Sequence, residues 1–364
     1  MRIAVLGVGL IGGSIGLAAR RRLDADVTGF DPDPGILERA LVREALDRAA
    51  GSAGEATEGV EIVFCAAPVG ALPALVAEAV EASGPQAVVT DVGSTKRELV
   101  VGLSEGAAGE RFIGGHPLAG AETSGVDGAR ADLFEGARWY LTPTERSSGL
   151  LYDRLQRAIA DLGARPQAID AATHDRLMAT VSHLPHVLAN VLASQAAAVR
   201  ADESERMPDV GRSFRDSTRV AGANPGIWTD IFATNREAVA NEIQAVIERL
   251  REAGELLRAS DPEAVRAWHR GALEDRRALL EGERVGGPLV ELRVVVQNRP
   301  GIVAEIALAL GQAGVNIEDM ALDPTADMSS GAITLWVAGA REAERAADVI
   351  RGLGHAVSAL PGGE

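Results

Sequence analysis

The sequence predicts a chain in three parts: a doubly wound α/β sheet over residues 1–165, an all-α segment over 166–284 and a small α+β domain over 288–364. Three observations carry this. A strand, a glycine-rich turn and a helix open the chain, and β/α alternation continues from there. A helical period then runs for more than a hundred residues after about Gly163. Beyond the break Val285-Gly286-Gly287-Pro288, strands and helices follow in the ferredoxin-like order βαββαβ.

Residues 2–6 are a short apolar strand, followed by Gly7-Val8-Gly9-Leu10-Ile11-Gly12 and a helix to about Arg22. A second strand, Asp26 to Phe30, ends at Asp31. GxGxxG after a strand and before a helix, with an acid closing the next strand, is the Rossmann-type dinucleotide fingerprint. Gly7 permits the tight turn, Gly9 lets the backbone approach a pyrophosphate, and Gly12 lets helix and strand pack closely. Leu10 and Ile11 open a helix whose free N–H groups would meet the phosphates. The Asp31 carboxylate would accept from both ribose hydroxyls and repel a 2′-phosphate, and Pro32, Asp33 and Pro34 add no cation. NAD is therefore expected over NADP, although Asp31 can also simply cap the turn before Pro32. Further strands are predicted over Glu61–Ala66, Ala87–Val92, Arg111–Gly114 and Trp139–Thr142.

In the helical part, His174 to Val199 is apolar at helical spacing, with Pro185 as an expected kink. Asn224-Pro225 and Asp261-Pro262 read as N-caps with proline in the first turn, opening helices over 226–259 and 262–281. Their apolar surface exceeds what one nucleotide domain can cover, so a homodimer is expected. In the last part, strands are predicted over Leu289–Val296, Val315–Leu322, Gly331–Val337 and His355–Leu360, with helices over Gly301–Ala313 and Arg341–Gly352.

Composition narrows the function. A net charge of −16 argues against nucleic-acid and membrane partners. Aromatics are only 3% of the chain, so its cores rest on Ala, Val, Leu and Ile. The start has no basic leader or long apolar run, and a cytoplasmic protein is expected. The one cysteine, Cys65, lies in the apolar run IVFCAAP and reads as a small core residue. Among 36 basic residues, Lys96 is the sole lysine, which hints that arginine does not fit there.

Four stretches carry candidate chemistry: Asp91 to Lys96, reading DVGSTK; GGHPLAG at 114–120, with Glu122 beyond it; SHLPH at 182–186; and RSFRDSTR at 212–219. The first two follow successive strands of the nucleotide sheet, where such folds collect ligands. His116, placed in a loop after its strand, supplies a base for a substrate hydroxyl, and Ser94 supplies a hydrogen bond to it. Ser94 can equally be a helix N-cap. His183 and His186 share a helix face, one expected to pack and the other to reach the cleft. No carboxylate or cysteine stands suitably near them for a metal, and none is expected. Arg212, Arg215 and Arg219 suit either a solvated surface or bidentate carboxylate binding.

With these residues assembled, the chain resembles the prephenate dehydrogenase family of tyrosine biosynthesis from its N-terminus to about residue 283. GVGLIGGSIG, DVGSTK, GGHPLAGAE, SHLPH and FRDSTRVAGANPGIW occur in that order. The remainder resembles an ACT domain, marked by QNRPGIVAEI and GVNIEDM. The resemblance implies that His116 accepts the proton of the substrate C4 hydroxyl and that Ser94 accompanies it. It implies that His186 contacts the substrate side chain, Arg219 holds a carboxylate and Glu122 orders the mouth of the site. The implied reaction is NAD-dependent oxidative decarboxylation of prephenate to 4-hydroxyphenylpyruvate. Arogenate dehydrogenase, using the same residues, is the nearest alternative. A β-hydroxyacid dehydrogenase would want a lysine in the helical part, and UDP-sugar oxidation a reactive cysteine. A non-catalytic sensor of NAD and an amino acid is the alternative from another class. Tyrosine is the expected effector of the ACT-like part, near Gly314, Val315, Asn316 and Ile317, unless that part serves only dimerisation.

Overall fold

The computed structural model describes residues 1–120, 125–203, 210–281, 289–297, 299–324 and 330–360. The chain divides into two compact units, Met1–Leu250 and Arg251–Glu364.

The first unit opens with β1 (Arg2–Leu6), α1 (Leu10–Leu23), β2 (Asp26–Phe30), α2 (Pro34–Val42), β3 (Arg48–Ala49), α3 (Ala53–Ala56) and β4 (Ile62–Cys65). Next come α4 (Leu72–Ala82), β5 (Val88–Asp91), α5 (Arg97–Gly102) and α6 (Gly106–Arg111). The five strands form a parallel sheet in the order β3-β2-β1-β4-β5, so the winding direction reverses beside β1. Successive residues of β1 alternate between two cores: Ile3 and Val5 pack on one face of the sheet, Ala4 and Leu6 on the other. Cys65 is buried in the second of these, a packing residue as expected.

The expected strand over Arg111–Gly114 is displaced. Instead β6 (Gly114–Pro117), β7 (Arg138–Thr142) and β8 (Arg165–Ala168) make a separate three-stranded sheet, with α7 (Gly149–Asp161) preceding β8. β6 and β7 are antiparallel and pair His116 with Tyr140, so His116 stands on a strand and not in a loop. The reason is visible in the two glycines before it. A Cβ on Gly115 would lie 2.5 Å from the Asp91 carbonyl oxygen, so only glycine lets β6 press onto the end of β5.

The helical part runs through α8 (Ala171–Met178), a π-helical turn (Ala179–His183), α9 (Leu184–Glu203), α10 (Arg212–Thr218) and a 3-10 turn (Arg219–Gly222). It continues through α11 (Pro225–Thr234), α12 (Arg236–Ala259) and α13 (Pro262–Glu281). Pro185 has no N–H for the Val181 carbonyl, and the widened turn just before it takes up the mismatch where a kink was expected. The single helix expected over 226–259 is broken at Asn235, whose backbone leaves the helical region at φ −120° and ψ 23°.

The C-terminal sheet has the order β10-β11-β9-β12, built from β9 (Leu289–Gln297), β10 (Asp319–Pro324), β11 (Ser330–Ala338) and β12 (Ala356–Leu360). Helices α14 (Ile302–Gln312) and α15 (Ala340–Gly352) complete βαββαβ. Leu292, Val294 and Val296 share one core with Ile306, Leu310 and Ile350, while Val295 faces out. β10 begins at Asp319 rather than at Val315, because Gly314 turns at φ +72° and the chain is not yet in register with β11. Gly314, Val315, Asn316 and Ile317 therefore form the connection out of α14, with Val315 buried and the Asn316 amide donating to Glu318 at 2.8 Å.

Candidate active site

The glycine turn is built as the sequence requires. Gly7 sits at φ +93°, and a Cβ there would be 2.4 Å from the Ala66 carbonyl oxygen. A Cβ on Gly12 would be 1.9 Å from the Gly7 oxygen, while one on Gly9 would meet nothing within 4 Å. The first and third glycines thus seat the helix, and the second leaves open space. Among the described residues no side chain caps α1 at Gly9 or accepts from the N–H groups at its start, those of Leu10 and Ile11 included. Asp31 closes β2 and braces the turn, accepting from the Val8 N–H at 2.9 Å and the Asp33 N–H at 3.0 Å. Open space over glycine, uncapped donors and an acid at the next strand's end fit a dinucleotide.

At the end of β5, the Asp91 carboxylate is buried. It accepts from the Gly93 N–H at 2.8 Å, from the Gly115 N–H at 3.0 Å and from the Lys96 ammonium. One side chain therefore ties the β5 turn to β6 and fixes Ser94 and His116 on the same cavity. Lys96 is fully buried; burial pushes its ammonium below its ordinary value, and Asp91 opposes that shift. A Cβ on Gly114 would lie 3.2 Å from the Lys96 stem, so β6 passes close against that stem. Ser94 is not a helix cap: Lys96 occupies the capping position of α5. The first N–H groups there donate instead to Asp175, Lys96 at 2.8 Å and Arg97 at 2.9 Å.

The helical part supplies the facing wall. His116 Nδ1 lies 2.9 Å from His174 Nε2, and His174 Nδ1 lies 2.8 Å from Asp175 Oδ1. Asn235, at the break between α11 and α12, donates to the Asp175 carbonyl at 2.8 Å and stands 3.1 Å from His183 Nδ1. Ser94, His116, Met178, Ser182, His183 and Trp228 line a cavity of about 310 Å³. Burial, with the charges of His174, Lys96 and His183 adding to it, holds the His116 imidazole well below its ordinary value. The ring is therefore neutral at neutral pH. Burial likewise brings His183 down to about 4, against the opposing pull of Asp175.

His186 does not line this cavity. Its ring stacks on Trp228 at 3.3 Å between centroids, so it supports the cavity wall, while His183 reaches the space itself. His186 is lowered by burial, opposed by the Ser182 carbonyl, and the Arg219 charge lowers it further. That places the exposed Arg219 near the His186–Trp228 side of the site. Arg212 pairs with Asp216 at 3.6 Å and is a surface residue. Glu122 lies outside the described residues. Among the described residues, no group of three or more His, Cys, Asp and Glu is placed to hold a metal ion. None of their helices is long and apolar enough to cross a membrane.

Sequence reasoning missed His174, Asp175, Asn235 and Trp228. The adjacent His174-Asp175 pair was the available signal, but nothing in its spacing ties it to His116.

Comparison with known proteins gives three family matches along the chain. Residues 15–167 match the family model "Prephenate dehydrogenase, nucleotide-binding domain", 170–270 match "Prephenate dehydrogenase, dimerization domain", and 289–355 match "ACT domain". A prephenate dehydrogenase of Bacillus subtilis is 28% identical over 342 residues, covering 92% of this chain and 91% of its own. A cyclohexadienyl dehydrogenase of Zymomonas mobilis is 30% identical over 258 residues, covering 69% of this chain and 87% of its own. Among solved structures, the prephenate dehydrogenase of Aquifex aeolicus in complex with hydroxyphenyl propionate and NAD+ superposes with a TM-score of 0.71 at 29% identity. That match covers 76% of this chain and 97% of the other. The chain belongs to the prephenate dehydrogenase family and carries an ACT domain behind the two domains that define it.

Proposed function

We propose that this protein oxidises prephenate to 4-hydroxyphenylpyruvate with NAD, releasing the ring carboxylate as carbon dioxide. The observation that carries the reading is a neutral imidazole, His116, sharing one cavity with the Ser94 hydroxyl. NAD, when bound, accepts the hydride from ring C4. His116 takes the proton of the C4 hydroxyl and Ser94 orients that hydroxyl. The glycines at 7, 9 and 12, with Leu10 and Ile11, cradle the pyrophosphate, and Asp31 selects a ribose without a 2′-phosphate. His186 supports the substrate side chain together with Trp228, Glu122 orders the mouth, and Arg219 supplies the local cation that an anionic substrate needs on a chain of net charge −16. The Aquifex relative holds a hydroxyphenyl ring on a short acid together with NAD+. That is the chemical outline of the proposed product.

NADH formation by the purified protein with prephenate and with arogenate, each with NAD and NADP, tests the reading. Faster turnover of arogenate would assign the second substrate, and no turnover of either would favour a sensor. We expect Arg219→Ala to raise KM for prephenate at least tenfold, since a charged hydrogen bond contributes about 1.5–3 kcal/mol. An unchanged KM would move the carboxylate clamp elsewhere.

The same reading assigns a cytoplasmic homodimer of three domains, 1–165, 166–284 and 288–364, its subunits joined through the helical part. It also assigns tyrosine as an effector at the turn from Gly314 to Ile317. Tyrosine is then expected to inhibit NADH formation by the full-length enzyme, and Gly314→Val, strained at φ +72°, to abolish inhibition without changing turnover in its absence. Equal rates with and without tyrosine would leave this domain a dimerisation module.

A further inference from the structure

Three side chains in hydrogen-bonding contact run away from the candidate base into the helical part: His116, His174 and Asp175. The His116 Nδ1 to His174 Nε2 distance is 2.9 Å and the His174 Nδ1 to Asp175 Oδ1 distance is 2.8 Å. None of the motifs read in the sequence includes the last two residues. His174 and Asp175 are both buried, and the His174 ring is held edge-on by the rings of Tyr140 at 5.6 Å and His116 at 5.1 Å.

The hydrogen-bond roles along this row follow from one end. Asp175 also accepts from the backbone N–H groups of Lys96 and Arg97, two charge-assisted bonds that suit its ionised form. A carboxylate only accepts, so the hydrogen between Asp175 and His174 resides on His174 Nδ1. A neutral imidazole carries one N–H, which leaves His174 Nε2 as an acceptor. His116 Nδ1 must then be the donor across the 2.9 Å contact, and the remaining nitrogen of His116, Nε2, carries the lone pair. The other tautomer of His116 would place a hydrogen on Nε2 and two facing lone pairs between the rings.

We propose that Asp175 and His174 are positioning residues that fix His116 in the Nδ1–H tautomer and receive the positive charge when His116 acts as a base. The proposal rests on the reading of His116 as the proton acceptor. His116 Nε2 gains the hydroxyl proton, and the Nδ1–H of His116 passes to His174 Nε2. His116 ends neutral with its hydrogen on Nε2, and His174 ends as an imidazolium whose Nδ1–H faces the Asp175 carboxylate. The charge settles there because His116 is faced by Lys96 from the turn before α5 and by His183 from the π-helical turn, with no carboxylate against its own ring among the described residues. When the ring carboxylate departs, the electron pair it leaves makes the C4 oxygen a phenolate, which takes the proton back from Nε2 of His116, and the shared hydrogen returns from His174. No co-reactant is needed.

The tautomer is measured without substrate and without mutation. Nitrogen-15 NMR of the histidine rings at neutral pH is expected to show His116 protonated at Nδ1, hydrogen-bonded to an unprotonated His174 Nε2. A hydrogen on His116 Nε2 would overturn the proposal, whatever the enzyme turns over. The second measurement is the pH profile of Asp175→Asn. Loss of the carboxylate lets His174 reverse and forces His116 into the wrong tautomer, so kcat falls by about 10²-fold or more while KM for substrate and NAD is unchanged. The protonated pair also loses its counter-charge, so the acidic limb of kcat moves to lower pH by about one unit. A folded Asp175→Asn enzyme whose acidic limb does not move would reduce the pair to packing and overturn the relay. Lack of activity of the native protein on either substrate would instead defeat the reading of the function, and the ring NMR would still decide the tautomer.

Discussion

Replacing His116 with asparagine is expected to lower kcat by roughly 10²–10⁴-fold, the range lost when a positioned base is removed, with NAD affinity unchanged. Asparagine keeps a polar group on β6 and leaves the pairing of residue 116 with Tyr140 to the backbone, so the strand survives. It removes a buried imidazole that shares the cavity with Ser94 and whose proton affinity burial has lowered, while His183 stays in place. The glycine turn and Asp31 belong to β1, α1 and β2, apart from this substitution. Stopped-flow NADH formation together with NAD titration separates the two effects. Near-normal turnover in a folded variant would remove His116 from the chemistry.

The second large effect is on stability. Lys96→Met leaves Asp91 charged and buried with two backbone N–H donors and no cation. Breaking a buried pair by removing one partner costs about 3–5 kcal/mol, because the remaining charge is uncompensated. Urea unfolding is expected to show that loss as a lower midpoint at unchanged slope. Lys96→Arg should also destabilise, since a bulkier head group at a fully buried position forces its neighbours apart. A loss below about 1 kcal/mol in both would mean that the pair sits in a far wetter environment than its burial indicates.

Much of the fold was legible because local chemistry and tertiary structure agree. The glycine turn, the parallel strands and the ferredoxin-like order each follow from backbone freedom, apolar runs and spacing, and all are present. The rest was hidden where a distant partner decides. Asn235, at the end of α11, bonds Asp175 and His183, and a sequence window over 226–259 contains neither. The π-helical turn before Pro185 answers a missing backbone donor, which periodicity reads as an undifferentiated helix. β6 lies three residues beyond its expected place because Gly114 and Gly115 allow contact with β5, a tertiary event.

The site was legible in the same uneven way. His116 and Ser94 announced themselves through motifs at strand ends, and both line one cavity. The lone lysine pointed to a place where arginine would not fit, and it proved to be a buried partner of Asp91. Of the two histidines in SHLPH, the first lines the cavity and the second stacks on Trp228, a division that helical spacing alone could not assign. His174 and Asp175 stayed invisible because their relation to His116 exists only once α8 packs against β6.

The most direct test is a crystal structure of the enzyme with NAD and a substrate analogue bearing the ring hydroxyl. The account predicts His116 Nε2 at about 2.6–3.2 Å from that hydroxyl. It also predicts the nicotinamide within about 3–3.5 Å of the carbon that bears the hydroxyl. A complex in which the hydroxyl turns away from His116, or the nicotinamide lies against another wall of the cavity, would contradict it.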